Sequence, residues 1–163
     1  MSEHAKRISD SWVTISQVML PTDANPQGNV QGGVVMKLVD EAGAIAAVRH
    51  SRRPVVTVAV DSMTFLSPIY VGNLVTLAAS LSYVGRTSME VEVLVEAEDP
   101  LTGEKTHTNS AYVVYVALDE NGQPCEVPAL IAETEEERER LARGKQRQAQ
   151  RLAQRKERVH QKS

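Results

Sequence analysis

Four residues in the first quarter of the chain have the types and spacing that hydrolysis of an acyl group needs. Asn25 lies in a loop rich in Pro, Asp and Gly, Gly32 and Gly33 follow where a helix should begin, and Asp40 lies within the helical run. A carboxylate can act as a base toward water, an amide can orient a reactant, and free N–H groups at a helix start can hold an oxyanion. Together they predict acyl transfer to water.

Each of these residues also has an ordinary structural interpretation. Asp residues are common on solvated helix faces, Gly-Gly usually marks a plain turn, and Asn beside Pro and Gly usually satisfies its own loop. Two features favour a site. Asp40 shares its helix face with small apolar residues, and Gly43 inside the helix costs about 0.5–1 kcal/mol relative to Ala, which predicts a close approach by another group. The neighbours on this face are Met36, Gly43, Ala44 and Ala47.

A second candidate site is the polar turn that contains Arg86, Thr87 and Ser88. One cation and two hydroxyls can hold a phosphate or a pantetheine group, although an ordinary hairpin turn has the same composition. His50 lies at the expected helix end, where a cation is favourable. No Cys/His cluster has zinc spacing, so the sequence predicts no metal site and no cofactor.

Periodicity predicts one apolar helix and five strands, joined mostly by short turns. Hairpin-length links cannot join parallel neighbours, so the sequence predicts an α+β fold with an antiparallel sheet wrapped around a central helix. The predicted helix covers residues 34–50, and the predicted strands cover residues 11–20, 54–65, 73–84, 87–97 and 106–118. A helix that is apolar nearly all round is expected to be buried.

Composition predicts three segments: a flexible N-terminus (1–10), the folded domain (11–132) and a charged C-terminal helical extension (133–163). The extension carries ten Lys/Arg and six Glu, whereas residues 1–132 carry eight Lys/Arg and fifteen Asp/Glu. Its mixed charges and lack of aromatic residues predict a solvated helix, with Gly144 as a candidate interruption, and argue against nucleic-acid binding. A single cysteine and the absence of an apolar leader or membrane-length run predict the cytoplasm.

Four motifs, which together cover about residues 12–130, resemble those of the hotdog-fold acyl-CoA thioesterases, in the group related to cytosolic brain-type acyl-CoA hydrolase. The motifs read PTDANPQGNVQGGVVMKLVDEAGAIAAVRH, VVTVAVDSMTFLSPIYVG, YVGRTSMEVEVLV and YVVYVALDENGQP. The resemblance implies two units paired in a continuous sheet, active sites at the dimer interface, and hexamers built as trimers of dimers. The related vertebrate enzymes have two domains, one half of each being degenerate. Here a single domain carries both Asn25 and Asp40, which favours a self-sufficient homodimer.

By match of motif, Asn25 and Asp40 fall on the family's catalytic residues, which typically belong to different protomers. Gly32 and Gly33 fall on the glycines that bind the thioester oxygen. Thr57 falls on a threonine often near the site. Three further positions fall on the turn associated with coenzyme A: Arg86, Thr87 and Ser88. At the position before Gly32 and Gly33, where the family often has a His or an aromatic residue, this chain has Gln31.

The resemblance implies hydrolysis of fatty acyl-CoA to free fatty acid and coenzyme A, with coenzyme A as part of the substrate and no other cofactor. Asp40 would act as general base or as nucleophile, and Asn25 would orient water or the thioester. One alternative is a hotdog dehydratase acting on 3-hydroxyacyl thioesters, although no His shares the helix face of Asp40. Another is a non-catalytic protein that binds acyl-CoA or nucleotides.

Overall fold

The structure, a computed structural model, describes residues 5–162. Within this range, seven strands and two α-helices alternate with short 3₁₀ turns and loops. In chain order they are β1 (Lys6–Arg7), β2 (Val13–Val18), α1 (Gly32–Ser51), β3 (Val55–Phe65), β4 (Leu74–Val84), β5 (Ser88–Glu98), β6 (Lys105–Ala117), β7 (Leu130–Ile131) and α2 (Glu135–His160). The predicted helix and all five predicted main strands are confirmed, with bounds that differ by a few residues.

The main sheet has the strand order β2-β4-β5-β6-β3, and every neighbouring pair in it is antiparallel. Short turns join β4 to β5 and β5 to β6, as the hairpin-length links predict. The strands β2 and β3 form the two edges. The α+β arrangement of an antiparallel sheet against one central helix, the hotdog arrangement, is therefore confirmed.

Helix α1 packs one side against the sheet and leaves the other side open. Val35, Leu38 and Ala42 are among its residues buried against β4, β5 and β6. The opposite side carries Met36 and Ile45, which are 48% and 42% exposed. The prediction of a wholly buried helix is wrong for the single chain, because in residues 5–162 the five-stranded sheet covers only one side of α1.

Residues 6–10, which the sequence assigns to a flexible N-terminus, form strand β1 and the start of a 3₁₀ turn. Strand β1 pairs in parallel with β7, Ile8 is only 1% exposed, and Lys6 Nζ donates a hydrogen bond to the carbonyl oxygen of His50 at 2.6 Å. Residues 1–4 lie outside the described range. A two-residue strand has too little pattern to be found in a sequence, so the element that orders this segment was missed.

His50 is fully buried and is not the exposed cation that its place at the helix end suggests. Its Nε2 lies 2.8 Å from the carbonyl oxygen of Pro128. Burial lowers the pKa of His50, the hydrogen bond to Pro128 opposes that change, and nearby Lys6 lowers the pKa further. The neutral ring is therefore favoured, and the hydrogen bond indicates the tautomer that carries its proton on Nε2.

Helix α2 is continuous through Gly144, so the expected interruption there is wrong. Thr134 caps it by accepting a hydrogen bond from the Glu137 N–H. Gly144 is its one buried residue, and a Cβ at that position would lie 2.6 Å from Tyr83 Cβ. Glycine is needed because the helix backbone rests directly on β4.

The predicted solvated character of α2 is also wrong along the face that meets the sheet. Arg147 makes three contacts with the 1%-exposed carboxylate of Glu90, the shortest at 2.7 Å, and lies 3.8 Å above the Tyr112 ring. Arg151 bridges Glu90 and Asp61. Burial alone would raise the pKa of Glu90, but hydrogen bonds from the arginines and Ser82 outweigh it and lower the pKa. The outer face of the sheet therefore holds α2 by charge.

Candidate active site

Asp40 lies half-buried in the middle of α1, where two hydroxyls hold one of its carboxylate oxygens. Thr57 Oγ1 donates a hydrogen bond to Asp40 Oδ1 at 2.8 Å. The Tyr115 hydroxyl lies 3.1 Å from the same oxygen and 2.9 Å from the Asp40 carbonyl oxygen. Within residues 5–162, Asp40 Oδ2 has no hydrogen-bond partner. The carboxylate is thus fixed on one side and free on the other, as a base or nucleophile requires.

The sequence did not reveal Tyr115 as part of the site. Its hydroxyl reaches Asp40 only because residue 43 is glycine, and a Cβ there would overlap that hydroxyl. Gly43 in a helix interior did predict a close approach, and the approaching group is this tyrosine. Burial, and then the charge and hydrogen bond of Asp40, raise the pKa of Tyr115, so its hydroxyl remains a donor.

The start of α1 leaves backbone N–H groups free beside open space. Gln31 makes two bonds back into its own loop: its N–H to the Asp23 carbonyl at 2.8 Å and its Nε2 to the Ala24 carbonyl at 3.3 Å. It therefore does not cap the helix. In the described part of the chain, the N–H groups of Gly32 and Gly33 have no acceptor, and a Cβ on Gly33 would meet nothing within 4 Å. An acceptor oxygen from a ligand could approach Gly33 closely.

Asn25 lies at the same end of α1, in a pocket of about 280 Å³ that Gly32 and Phe65 also line. Its Oδ1 accepts hydrogen bonds from the N–H groups of Gln27 and Asn29, both at 3.1 Å. The side-chain oxygen of Asn25 therefore has the ordinary role of stabilising its own loop. Its amide nitrogen has no partner among residues 5–162, so it can still donate to another group.

Within one chain, Asn25 and the helix start do not meet Asp40. Gly32 and Asp40 are eight residues apart on one helix, which corresponds to about 12 Å along its axis. The structure therefore gathers the predicted residues into two half-sites. Asn25, Gly32 and Gly33 form one, and Asp40 with Thr57 forms the other.

The polar turn lies at the same end of the sheet as Thr57. Thr57 pairs with Tyr115, which pairs with Met89, so residue 88 is two strands from Thr57, roughly 10 Å across the sheet. The Arg86 side chain is 77% exposed and its guanidinium is 3.9 Å from Glu126. The turn thus presents a cation that its own chain barely neutralises.

The half-site around Asp40 borders an uncovered apolar surface. Edge strand β3 has an unpaired outer edge and exposes several valines, and α1 exposes Met36 beside it. The exposed valines of β3 are Val56 (43%), Val58 (54%) and Val60 (48%). Exposed apolar residues along an unpaired edge strand are typical of a contact with another molecule.

Two kinds of feature are absent from residues 5–162. No group of three or more His, Cys, Asp or Glu side chains is placed to hold a metal ion. No helix in this part of the chain combines the length and apolar character needed to cross a membrane.

Comparison with known proteins identifies the family. The family model described as "Thioesterase superfamily" matches residues 27–104. A solved structure, an apo-hexameric acyl-CoA thioesterase, is 35% identical with a TM-score of 0.88, covering 93% of this chain and 97% of that chain. The chain belongs to the hotdog-fold acyl-CoA thioesterase family. The rat cytosolic acyl coenzyme A thioester hydrolase is 38% identical over 91% of this chain, which spans only 39% of that relative's length.

Among the solved members of the family is the acyl-CoA hydrolase of Staphylococcus aureus, in complex with butyryl coenzyme A, coenzyme A and coenzyme A disulfide. It is 33% identical, with a TM-score of 0.88, covering 96% of this chain and 95% of that chain. The same protein has been solved with an aspartate, an asparagine or a threonine replaced by alanine. In its sequence, the asparagine and the aspartate are 15 positions apart, and the aspartate and the threonine are 17 positions apart.

Proposed function

We propose that this chain hydrolyses fatty acyl-CoA to free fatty acid and coenzyme A. The observation that carries the proposal is a spacing. The positions of Asn25, Asp40 and Thr57 differ by 15 and 17, as do those of the three residues substituted in the Staphylococcus aureus hydrolase. The hydrogen bond between Thr57 and Asp40 supports a joint role for that pair.

The thioester carbonyl would bind at the start of α1. The N–H of Gly33 has no acceptor among residues 5–162, a Cβ on Gly33 would meet nothing within 4 Å, and a helix N-terminus carries a partial positive charge. These donors would stabilise the negative charge that develops on the carbonyl oxygen in the transition state, a contribution typically worth about 100- to 1000-fold in rate per donor. The Asn25 amide nitrogen lies in the same pocket and would orient the thioester or water.

Asp40 would supply the reacting oxygen or the base. Thr57 and Tyr115 hold its Oδ1, so Oδ2 would either take a proton from water or attack the carbonyl to form an anhydride. In a single turnover in ¹⁸O-labelled water, an unlabelled first product acid would indicate direct attack, with the anhydride then opened by water at the Asp40 carbonyl and the label left in Asp40. General-base catalysis places the label in the product acid, as does an anhydride opened by water at its acyl carbonyl.

Because the two half-sites lie about 12 Å apart along one helix, we infer that two copies of the chain complete each active site. The partner would pair with the free edge of β3 and cover its exposed valines and Met36. Such a homodimer is an isologous pair with two identical sites, and the hexameric relative supports a trimer of dimers. Arg86, Thr87 and Ser88 would bind coenzyme A, and we propose a cytoplasmic location.

The test is a thiol-release assay with acyl-CoA esters from two to sixteen carbons, on wild-type protein and on Asp40→Asn. Asparagine keeps the acceptor for Thr57 and Tyr115 but is neither base nor nucleophile, so turnover should fall at least about 1000-fold. Glu41→Gln is the matched control, because Glu41 is an exposed neighbour whose one ion pair, to Lys37, is 3.9 Å long. Wild-type turnover by Asp40→Asn would refute the assignment.

A further inference from the structure

The turn of residues 85–88 is connected to helix α2 through one side chain, Gln148. The half-buried Gln148 places its Nε2 3.5 Å from Ser88 Oγ. Gly85 provides the room for this contact, because a Cβ at that position would lie 2.8 Å from Ser88 Oγ and 3.8 Å from Gln148 Nε2. The coenzyme A turn therefore borders α2, a helix to which neither the motif match nor the proposed mechanism assigns a role.

The orientation of the Gln148 amide is fixed by its neighbour Arg151. Arg151 Nη2 donates to Gln148 Oε1 at 3.1 Å, and a guanidinium can only donate. The amide oxygen must then face Arg151, and the NH₂ group must face Ser88. Arg151 is itself held by Asp61 at 2.6 Å and by Glu90 at 2.8 Å. Arg151 thus donates both to its two anchoring carboxylates and to Gln148, and from Arg151 the donors run in one direction, through Gln148 to the turn.

This direction decides what the Ser88 hydroxyl can do. A hydroxyl has one proton to donate, and Ser88 Oγ already accepts from Gln148. Within residues 5–162 the structure gives that proton no acceptor. The cation of Arg86 stands two residues away on the same turn. A donor proton next to an exposed arginine suits a phosphate oxygen.

We propose that Gln148 is a positioning residue, which holds Ser88 so that its hydroxyl donates to a phosphate oxygen of coenzyme A. This inference rests on the proposed function and deepens it. The 3.5 Å contact is long for a hydrogen bond, and we expect it to shorten when the phosphate binds. Helix α2 then forms one wall of the coenzyme A site.

The test is Gln148→Glu, which keeps an acceptor for Arg151 and so keeps α2 in place. A glutamate cannot donate to Ser88. The Ser88 proton would turn toward it, and a negative charge would face the phosphate. KM for acyl-CoA should rise about tenfold, the loss expected for one hydrogen bond to a charged group, while kcat stays within about twofold. The Kd for coenzyme A, measured by calorimetry, should rise in parallel.

Two comparisons separate positioning from a general structural effect. Gln150→Glu adds the same charge on the exposed side of the same helix and should change neither KM nor Kd. Acyl-pantetheine lacks phosphate, so Gln148→Glu should hydrolyse it at the wild-type rate. Acyl-dephospho-CoA, which lacks the 3′-phosphate, shows which phosphate is involved. If Gln148→Glu still raises KM for this ester, Ser88 donates to the diphosphate; if it does not, Ser88 donates to the 3′-phosphate.

The inference is overturned if Gln148→Glu binds coenzyme A as wild type does, or if it loses acyl-pantetheine hydrolysis to the same extent. It is also overturned if the wild-type protein does not bind coenzyme A. Failure of the proposed function looks different. In that case the wild-type protein releases no thiol from any ester, yet the Kd for coenzyme A still depends on Gln148.

Discussion

Gly43→Ala should destabilise the protein although alanine is the better helix former. The added methyl group would overlap the Tyr115 hydroxyl and approach two ring carbons of Tyr115 at 3.1 Å. The ring is 0% exposed, so it has no solvent into which it can turn. The substitution must therefore push Tyr115 off the helix and break its bonds to Asp40.

The magnitude follows from three opposing contributions. Overpacking a core costs about 1–3 kcal/mol. Losing a hydrogen bond to a charged group costs about 1.5–3 kcal/mol. Replacing a helix-interior glycine by alanine returns about 0.5–1 kcal/mol. The first two overlap because one displacement causes both, so we expect a net loss of about 2–4 kcal/mol, or roughly 5–15 °C in Tm for a domain of this size.

Urea unfolding at one fixed protein concentration measures this loss, because an oligomer's midpoint depends on concentration. Gly33→Ala is the matched control, since its methyl group would meet no atom within 4 Å. That control should keep wild-type stability or gain up to about 1 kcal/mol, and yet lose at least about tenfold in kcat/KM because the methyl blocks the carbonyl. A Gly43→Ala protein as stable as wild type would refute the contact between Tyr115 and α1.

Two further predictions concern the groups that hold the chain ends. Glu90→Gln should lower the free energy of unfolding by about 3–5 kcal/mol, because it leaves Arg147 and Arg151 without their buried partner. Glu96→Gln on the same strand is the control and should cost little. Equal urea midpoints for the two variants would contradict the prediction. The lowered pKa of His50 means that the unfolded chain binds its proton first, near pH 6.5, so Tm should fall as the pH drops below that value. His50→Gln should flatten this pH profile, and an unchanged profile would show that another group causes it.

Local patterns in the sequence predicted the elements of this fold, because each element carries its own period. Apolar residues at helical spacing identified α1, and Val/Thr-rich runs between turns identified the five main strands. Gly43 indicated a close contact, but Tyr115 lies 75 residues from Asp40 in the sequence, and no local sequence pattern connects the two residues. The half-site was therefore predicted without its tyrosine.

The docking of α2 was missed for a related reason. Its mixture of Glu, Arg and Gln resembles that of a solvated helix, and the residues that bind it are carboxylates on β5 and β3. Glu90 is 57 residues from its partner Arg147, and Asp61 is 90 residues from its partner Arg151. Charge pairing over such distances depends on the folded sheet. Burial of His50 likewise depends on the segment that contains Pro128, which follows His50 by 78 residues.

The central claim is that two copies of the chain complete each active site, one with Asn25 and the helix start, the other with Asp40. Mixing Asn25→Ala with Asp40→Asn and allowing subunits to exchange tests it directly. In a random mixture half of the dimers are mixed, and each mixed dimer has one intact site of two. Thiol release should recover to about a quarter of the wild-type rate. A mixture that stays at the activity of the separate variants would contradict the shared site.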